Sequence, residues 1–337
     1  GTEVRSSFTS NSTLVAITDA DRITLEDVDV HGHDNLSLRR CVLGNGTHIS
    51  VLNSSLTGCH IKGFDSQAFL SVSGAGPYWL EGNVLEGAGE NIMFGGADPA
   101  SADHVPSDIT IRNNIVRKPP EWFTSGKWSV KNLFEIKTAV RVLVENNLFE
   151  NTWDDAQRVA INIKSVNQNG GAHGAWSKAT DITFRRNTIR NFPWGISLAA
   201  APEPPVAEVL SRVLIEDNIF ENGGHDNPYG GAPTPRAIQI LSDIRDLTVR
   251  HNEWHGSYQN QVAFEGGGKT NFVFENNIIG EATYGFQNAS NLLTMAPGAV
   301  VTGNILAPAT YNNSLPGGNC IIWPPSAATS CSSAGRR

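Results

Sequence analysis

Two short segments of this chain carry the side chains best suited to chemistry, Phe-Glu-Ile-Lys at 134–137 and Ile-Asn-Ile-Lys at 161–164. Apolar and polar residues alternate in both. Glu135 and Lys137 therefore share one face of an extended strand, as do Asn162 and Lys164. Strands stacked one rung apart would bring the two amines together, where mutual repulsion favours proton loss and work as a base. A carboxylate and an amide beside them suit a sugar hydroxyl or a Ca²⁺ ion, the one cofactor this pattern suggests. The competing interpretation is a cross-strand ion pair between Glu135 and Lys137 or Lys164.

Other residues extend that candidate site. Trp122, Trp128, Trp153 and Trp194 lie in or beside the segments that lead into such strands, with Tyr229 and Tyr258 further on. An aromatic plane beside polar groups suits a pyranose ring, whose C–H face stacks while its hydroxyls bond. Capping the end of a hydrophobic core is the alternative use of a loop Trp. Asp154 and Asp155 form the most acidic loop feature, with Arg158 close behind. Paired carboxylates can hydrolyse a glycosidic bond, but neighbours on an extended chain diverge, so Glu135 is the partner they require. An Asx turn is the simpler reading of the two Asp. Gln239 falls in the same outward column as Asn162. His104, His173 and His225 have no metal-ligand spacing, and no metal site can be named. The glycine clusters lack the strand–Gly–helix setting of a phosphate loop.

A repeat fixes where these residues stand. The pattern apolar, any, apolar, two residues, Asn, any, apolar runs from Tyr78, Leu80, Asn83 and Leu85 to Ala299, Val301, Asn304 and Leu306. The ladder residues are Asn83, Asn114, Asn147, Asn187, Asn218, Asn252, Asn277 and Asn304, spaced by 31, 33, 40, 31, 34, 25 and 27 residues. Period-two alternation marks strands, and a recurring unit of variable loop length marks a solenoid. An inward Asn at a corner can bond to its equivalents above and below, satisfying turn backbone that has no sheet partner. A second strand precedes each Asn strand, at Ile92–Phe94, Phe134–Ile136, Ile161–Ile163, Ile196–Leu198, Ile238–Ile240 and Val262–Phe264, with a weaker copy at Phe286. Earlier apolar sets at Ile23/Leu25, Leu36/Leu38 and Ile49/Val51 are spaced by thirteen residues, as successive faces of loop-poor coils would be. The expected fold is all-β, a single-domain right-handed parallel β-helix over residues 1–315. A Pro/Ser/Gly-rich tail follows at 316–337. Cys320 and Cys331 are placed to staple that tail, and Cys41 with Cys59 is a candidate second pair, although sequence leaves the pairing open.

This ladder resembles the pectin-lyase-like superfamily of right-handed parallel β-helices over essentially the whole chain. The segments Asn91–Pro99 and Trp128–Lys137 are similar to bacterial secreted β-helix repeat proteins of unassigned function. Enzymes of the superfamily mostly cleave acidic polysaccharides on one parallel sheet. Ile161-Asn-Ile-Lys-Ser165, with Thr183–Thr188 after it, resembles the Lys-Ser strand of its alginate and chondroitin lyases. The resemblance implies Lys164 as the base that takes the proton α to a uronate carboxylate. The acidic residue those lyases carry just before that strand is absent, since Arg158, Val159 and Ala160 stand there. Their Arg one coil later is replaced by Leu198 and Ala199. The paired-Asp motifs of polygalacturonases are missing too.

Net charge of −8 argues against a nucleic-acid partner, and no apolar run is long enough for a membrane span. No apolar leader stands at the start of the sequence, so an export signal is expected to have been removed. The expectation is a secreted or cell-surface protein whose partner is polysaccharide. Lyase-type cleavage of a uronate-containing polymer is favoured over hydrolysis. The alternative is a non-catalytic β-helix that binds sugar, adheres, or self-associates into filaments.

Overall fold

The computed structural model describes residues 2–5, 10–168, 170, 176–200, 206–241 and 243–330. All strand pairings among them are parallel, and they join 28 strands into one continuous sheet wound upon itself. The five coils between Tyr78 and Ile240 each contribute three strands. The first sheet holds Tyr78–Glu81, Ser107–Arg112, Ala139–Glu145 and their successors. The second holds Val84–Gly87, Ile115–Arg117, Leu148–Glu150 and onward. The third holds Glu90–Phe94, Phe134–Ile136, Val159–Ser165, Trp194–Ala200 and Arg236–Ile240. This is the right-handed parallel β-helix expected from the repeat, the hand being that of nearly every parallel crossover. Ile23 and Leu25 face Ile49 and Val51 a full coil apart, so the thirteen-residue spacing marks alternate faces of the first coils.

The core is a stack of inward side chains. Phe134, Phe149 and Phe184 pack with centroids 5.8–6.4 Å apart, and Phe220 stacks on Trp254 at 4.8 Å. All five are fully buried, each contributing roughly 2–3 kcal/mol of apolar burial. At the first-to-second sheet corner, each ladder Asn donates its backbone N–H and its Nδ2 to the Oδ1 of the next, at 2.8–3.2 Å. Nδ2 also reaches a carbonyl one rung back, such as Leu80 for Asn114 and Val144 for Asn187. The residue before each ladder Asn is left-handed, from Gly82 (φ 71°) and Asn113 (57°) to Gly303 (68°), which is why Gly and Asn recur there.

The ladder runs further than the repeat pattern showed. Ser54 opens it, donating its N–H to Asn83. Asn319 closes it, and Cys320–Ile321 pairs with Ile305–Leu306 as a final rung. That rung falls within the segment assigned to the tail from composition.

A second regularity flanks the ladder. Coils alternate in sign at both edges of the corner, with Glu81 and Glu86, Arg112 and Arg117, Glu145 and Glu150, Arg185 and Arg190, then Glu216 and Glu221. Neighbouring rungs pair these residues in register. Arg112–Glu81 closes at 3.0 Å, Arg117–Glu86 at 2.7 Å, Arg185–Glu145 at 2.9 Å and Arg190–Glu150 at 2.5 Å. Cys41 and Cys59 form a disulfide, with Cα atoms 5.7 Å apart. Cys331, the expected partner of Cys320, lies outside the described residues.

Candidate functional site

The third sheet sets the outward columns as the inward residues implied. Glu135 faces Met93 on one side and Asn162 on the other. Asn162 then faces Ser197, Ser197 faces Gln239, and Lys164 faces Ala199. Backbone register thus places Glu135, Lys137, Asn162 and Lys164 on two adjacent rungs about 4.8 Å apart.

The side chains converge on one carboxylate. Glu135 has no exposed surface at all. Its Oε1 accepts Asn162 Nδ2 at 3.1 Å and lies 3.2 Å from Lys164 Nζ and 3.8 Å from Lys137 Nζ. Its Oε2 accepts Asn132 Nδ2 at 3.0 Å. A buried carboxylate met by two cations and two amides is well compensated. Two lysines on the sheet surface are thereby held side by side around one negative charge, and the local balance is positive. Their side chains are 16% and 25% exposed, enough to meet a ligand lying on the sheet. Glu135 itself is saturated, so Glu135 and Asn162 do not form an open cation cradle. Among the described residues, no group of three His, Cys, Asp or Glu side chains is arranged to hold a metal.

Sequence reasoning missed the polar network beneath this pair. Glu90 is buried, and desolvation first, then the nearby Glu135 and Asp65 charges, push its carboxyl above the usual range. Gln67 donates to it at 2.8 Å, and Lys131 lies 3.6 Å away. Burial opposes the charge on Lys131, but Glu90 and Asp65 outweigh it and hold this lysine above its ordinary value. Lys118 is fully enclosed, its Nζ lying 2.6–3.0 Å from the carbonyl oxygens of Gly87, Ala88, Gly89 and Asn132, which share its donors. Desolvation lowers its pKa well below that of an ordinary lysine. Lys118 stands in the sequence Lys-Pro-Pro beside a loop, where nothing in spacing signals burial. Glu90 could have been found, since it opens a third-sheet strand in register with Gln67.

The aromatic residues divide. Trp122, Trp128 and Trp153 are buried in a separate cluster with Ala88 and Val130, and Tyr229 packs on its edge. His60 stacks on Trp128 at 3.9 Å and meets Trp122 edge-on at 5.2 Å. These three tryptophans therefore seal a loop cluster against an earlier coil and offer no open platform to a sugar. The cause is a contact between distant loops, with Ser129 bonding back to Ile61 and Gly63. Trp194 differs. It is half-buried on the third sheet, with the guanidinium groups of Arg158 and Arg236 over its ring at 5.7 and 4.6 Å.

The acidic loop is also spoken for. Asp154 pairs with Arg158 at 3.0 Å, while Asp155 Oδ2 accepts the Val130 N–H at 2.7 Å. The two carboxylates hold separate partners, as turn residues do. Gln239 Oε1 accepts the Ser197 hydroxyl at 3.1 Å, continuing the outward column. Of the loop histidines, His104 bonds Ser101 at 2.7 Å, His225 is exposed, and His173 lies outside the described residues. No described helix is long and apolar enough to cross a membrane.

No family model matches the chain, and no curated protein matches it. Among solved structures, it is similar to the crystal structure of the Dettilon tailspike protein, with 15% identity and a TM-score of 0.45. The match covers 91% of this chain and 60% of the tailspike chain, so this chain spans less than two thirds of that protein's length. The fold of this chain rests on its own strand register, which is that of a single parallel β-helix.

Proposed function

We propose that this protein binds an acidic, uronate-containing polysaccharide laid along its third sheet. The observation that carries this reading is the pair of ammonium groups held at 3.2 and 3.8 Å from buried Glu135. Two anchored cations grip successive carboxylates without needing to be ordered on binding. Arg158 and Arg236 frame Trp194 on the same sheet but are matched by Asp154 and Glu265, so the positive excess rests on the lysine pair, against a chain whose net charge is −8. Such a local basic pair on an acidic protein favours a polyanion. The Cys41–Cys59 disulfide supports an oxidising compartment and hence a secreted or cell-surface setting.

Cleavage is the second reading, favoured by Lys164 on a strand resembling that of the uronate lyases. There Lys164 takes the proton α to the carboxylate, the glycosidic oxygen at the β-carbon leaves with the bonding pair, and a double bond forms between the two carbons. Lys137 would hold the carboxylate. Lys164 Nζ is already engaged at 3.2 Å by the Glu135 carboxylate. Binding without turnover is the simpler outcome.

Affinity electrophoresis through gels containing alginate, polygalacturonate or chondroitin sulfate tests the binding step. Retardation by at least one polymer, lost in Lys137→Met with Lys164→Met and weakened by salt, is the expected result. Equal migration of wild type and double variant in every gel would overturn the proposal. Ultraviolet absorbance of an unsaturated product, abolished in Lys164→Met, would establish the lyase reading.

A further inference from the structure

From the arrangement of Tyr284 and Tyr311, we infer a second sugar site at the C-terminal end of the third sheet, selective for uncharged pyranose residues. A cavity of about 410 Å³ opens there, lined among others by Arg236, Gln259, Asn260, Tyr284, Gln287 and Tyr311. The tyrosine rings stack at 5.9 Å with planes 19° apart, yet remain 38% and 42% exposed. An aromatic pair half open to solvent is otherwise unusual in this molecule, where most large rings are buried. It offers a flat face to sugar C–H groups, and amides around it offer donors and acceptors to hydroxyls.

The platform is rigid before any ligand arrives. Tyr311 N–H donates to Tyr284 O at 3.0 Å, and Thr310 bonds Thr283 through both N–H and hydroxyl. Asn312 lies buried beneath, accepting Phe286 N–H at 2.8 Å and donating to Gln261 and Ala307 at 2.6 and 2.9 Å. Groups fixed in this way lose little freedom on binding.

Charge distinguishes this site from the lysine pair. Arg236 is the one ionised side chain in the cavity lining, and it is tied to Glu265 at 2.9 Å while lying over Trp194. No unopposed cation awaits a carboxylate. The ligand chemistry is therefore that of a neutral sugar ring. Arg236 faces Asn260, which lies three rungs above the Lys164 strand and, in register, level with Val159, about 14 Å along the helix axis and about 17 Å across it, a span of about 22 Å. One polysaccharide containing both acidic and neutral residues can reach both positions. The neutral site rests on its own residues and does not require the lysine reading to hold.

Saturation-transfer NMR with cello-, manno- and galacto-oligosaccharides, beside oligo-uronates, tests the assignment. At least one neutral oligosaccharide should show ring C–H contact, weakened about tenfold in affinity by Tyr311→Ala and by Gln287→Ala. The same signal should persist in Lys164→Met. Thermal melts of each variant establish that the fold is kept, and Gln287→Ala serves where Tyr311→Ala unfolds the last coil. Absence of binding by every neutral oligosaccharide, or binding indifferent to both substitutions, overturns the inference. Oligo-uronate binding lost only in the lysine variants would, in that case, leave the acidic site standing alone.

Discussion

The asparagine corner and the Glu135 cluster both bury polar groups, and they do so in opposite ways. At the corner the buried group is neutral, recurs in every coil, and is satisfied by its own copy one rung away. Around Glu135 the buried group is charged, occurs once, and is satisfied by four different side chains. Repetition lets the corner serve as scaffold, because each new coil meets the same need with the same residue. The Glu135 cluster has no such copy. Its neighbours in the column are Met93 and Ser197, so nothing about winding the helix demands a carboxylate there. A buried charge that the repeat does not require is the better guide to function.

The sharpest way to test that division is to remove one member of each region. Asn187→Ala deletes four hydrogen bonds, two accepted from Asn147 and two donated to Val144 and Asn218. It is expected to cost about 4 kcal/mol by denaturant unfolding, because buried backbone is left unpaired. Glu135→Leu is expected to cost less, about 3 kcal/mol, since Lys137 and Lys164 can swing towards water while Asn132 and Asn162 lose their acceptor. A larger loss at Glu135 than at Asn187 would make the cluster scaffold and erase the contrast.

His60 supplies a third case, a buried polar group that is neither repeated nor charged. Desolvation lowers its pKa to about 4, and neither ring nitrogen has a partner. The unfolded chain takes up this proton from about 6.5 downward, the folded chain only near 4. Its contribution is therefore unaffected above that window, and stability falls as pH drops through it. His60→Phe keeps the stacking on Trp128 and should remove roughly 3 kcal/mol of acid sensitivity. Melting temperatures of the two proteins should converge at neutral pH and separate in acid. The smallest effect concerns Lys164→Met. Stability should fall by roughly 2 kcal/mol, because buried Glu135 loses one charged partner but keeps Lys137, Asn132 and Asn162, while affinity for a polyuronate weakens about tenfold, as read by calorimetry. A large stability loss without loss of binding would move Lys164 to the scaffold side.

Much of the scaffold was legible because its determinants are periodic. The Asn spacing and the period-two strands gave the register that places Glu135 opposite Asn162 and Lys137 beside Lys164. What sequence could not convey was depth. An outward strand position is ordinarily wet, yet Glu135 is wholly buried, and Asn132, three residues before it, completes its shell. The tryptophans at 122, 128 and 153 take the capping role of the two open to them for a related reason. Whether a loop aromatic faces solvent depends on the coil its loop folds back upon, and that contact joins residues near 60 to residues near 129. Asn319 escaped notice because a Pro/Gly-rich composition hid the last repeat. The alternating Glu and Arg coils were fully visible in the sequence, but they emerge only when successive corners are aligned by sign.

That alternation imposes a parity on the molecule. Removing a single coil, for instance the one bearing Arg185 and Arg190, would set Glu145 against Glu216 and Glu150 against Glu221. Removing two adjacent coils restores opposite neighbours. A solenoid is usually regarded as free to lengthen or shorten one turn at a time, but here the coil pair is the unit of length. Deletions of one coil should melt lower than deletions of two, even though the latter discard more core.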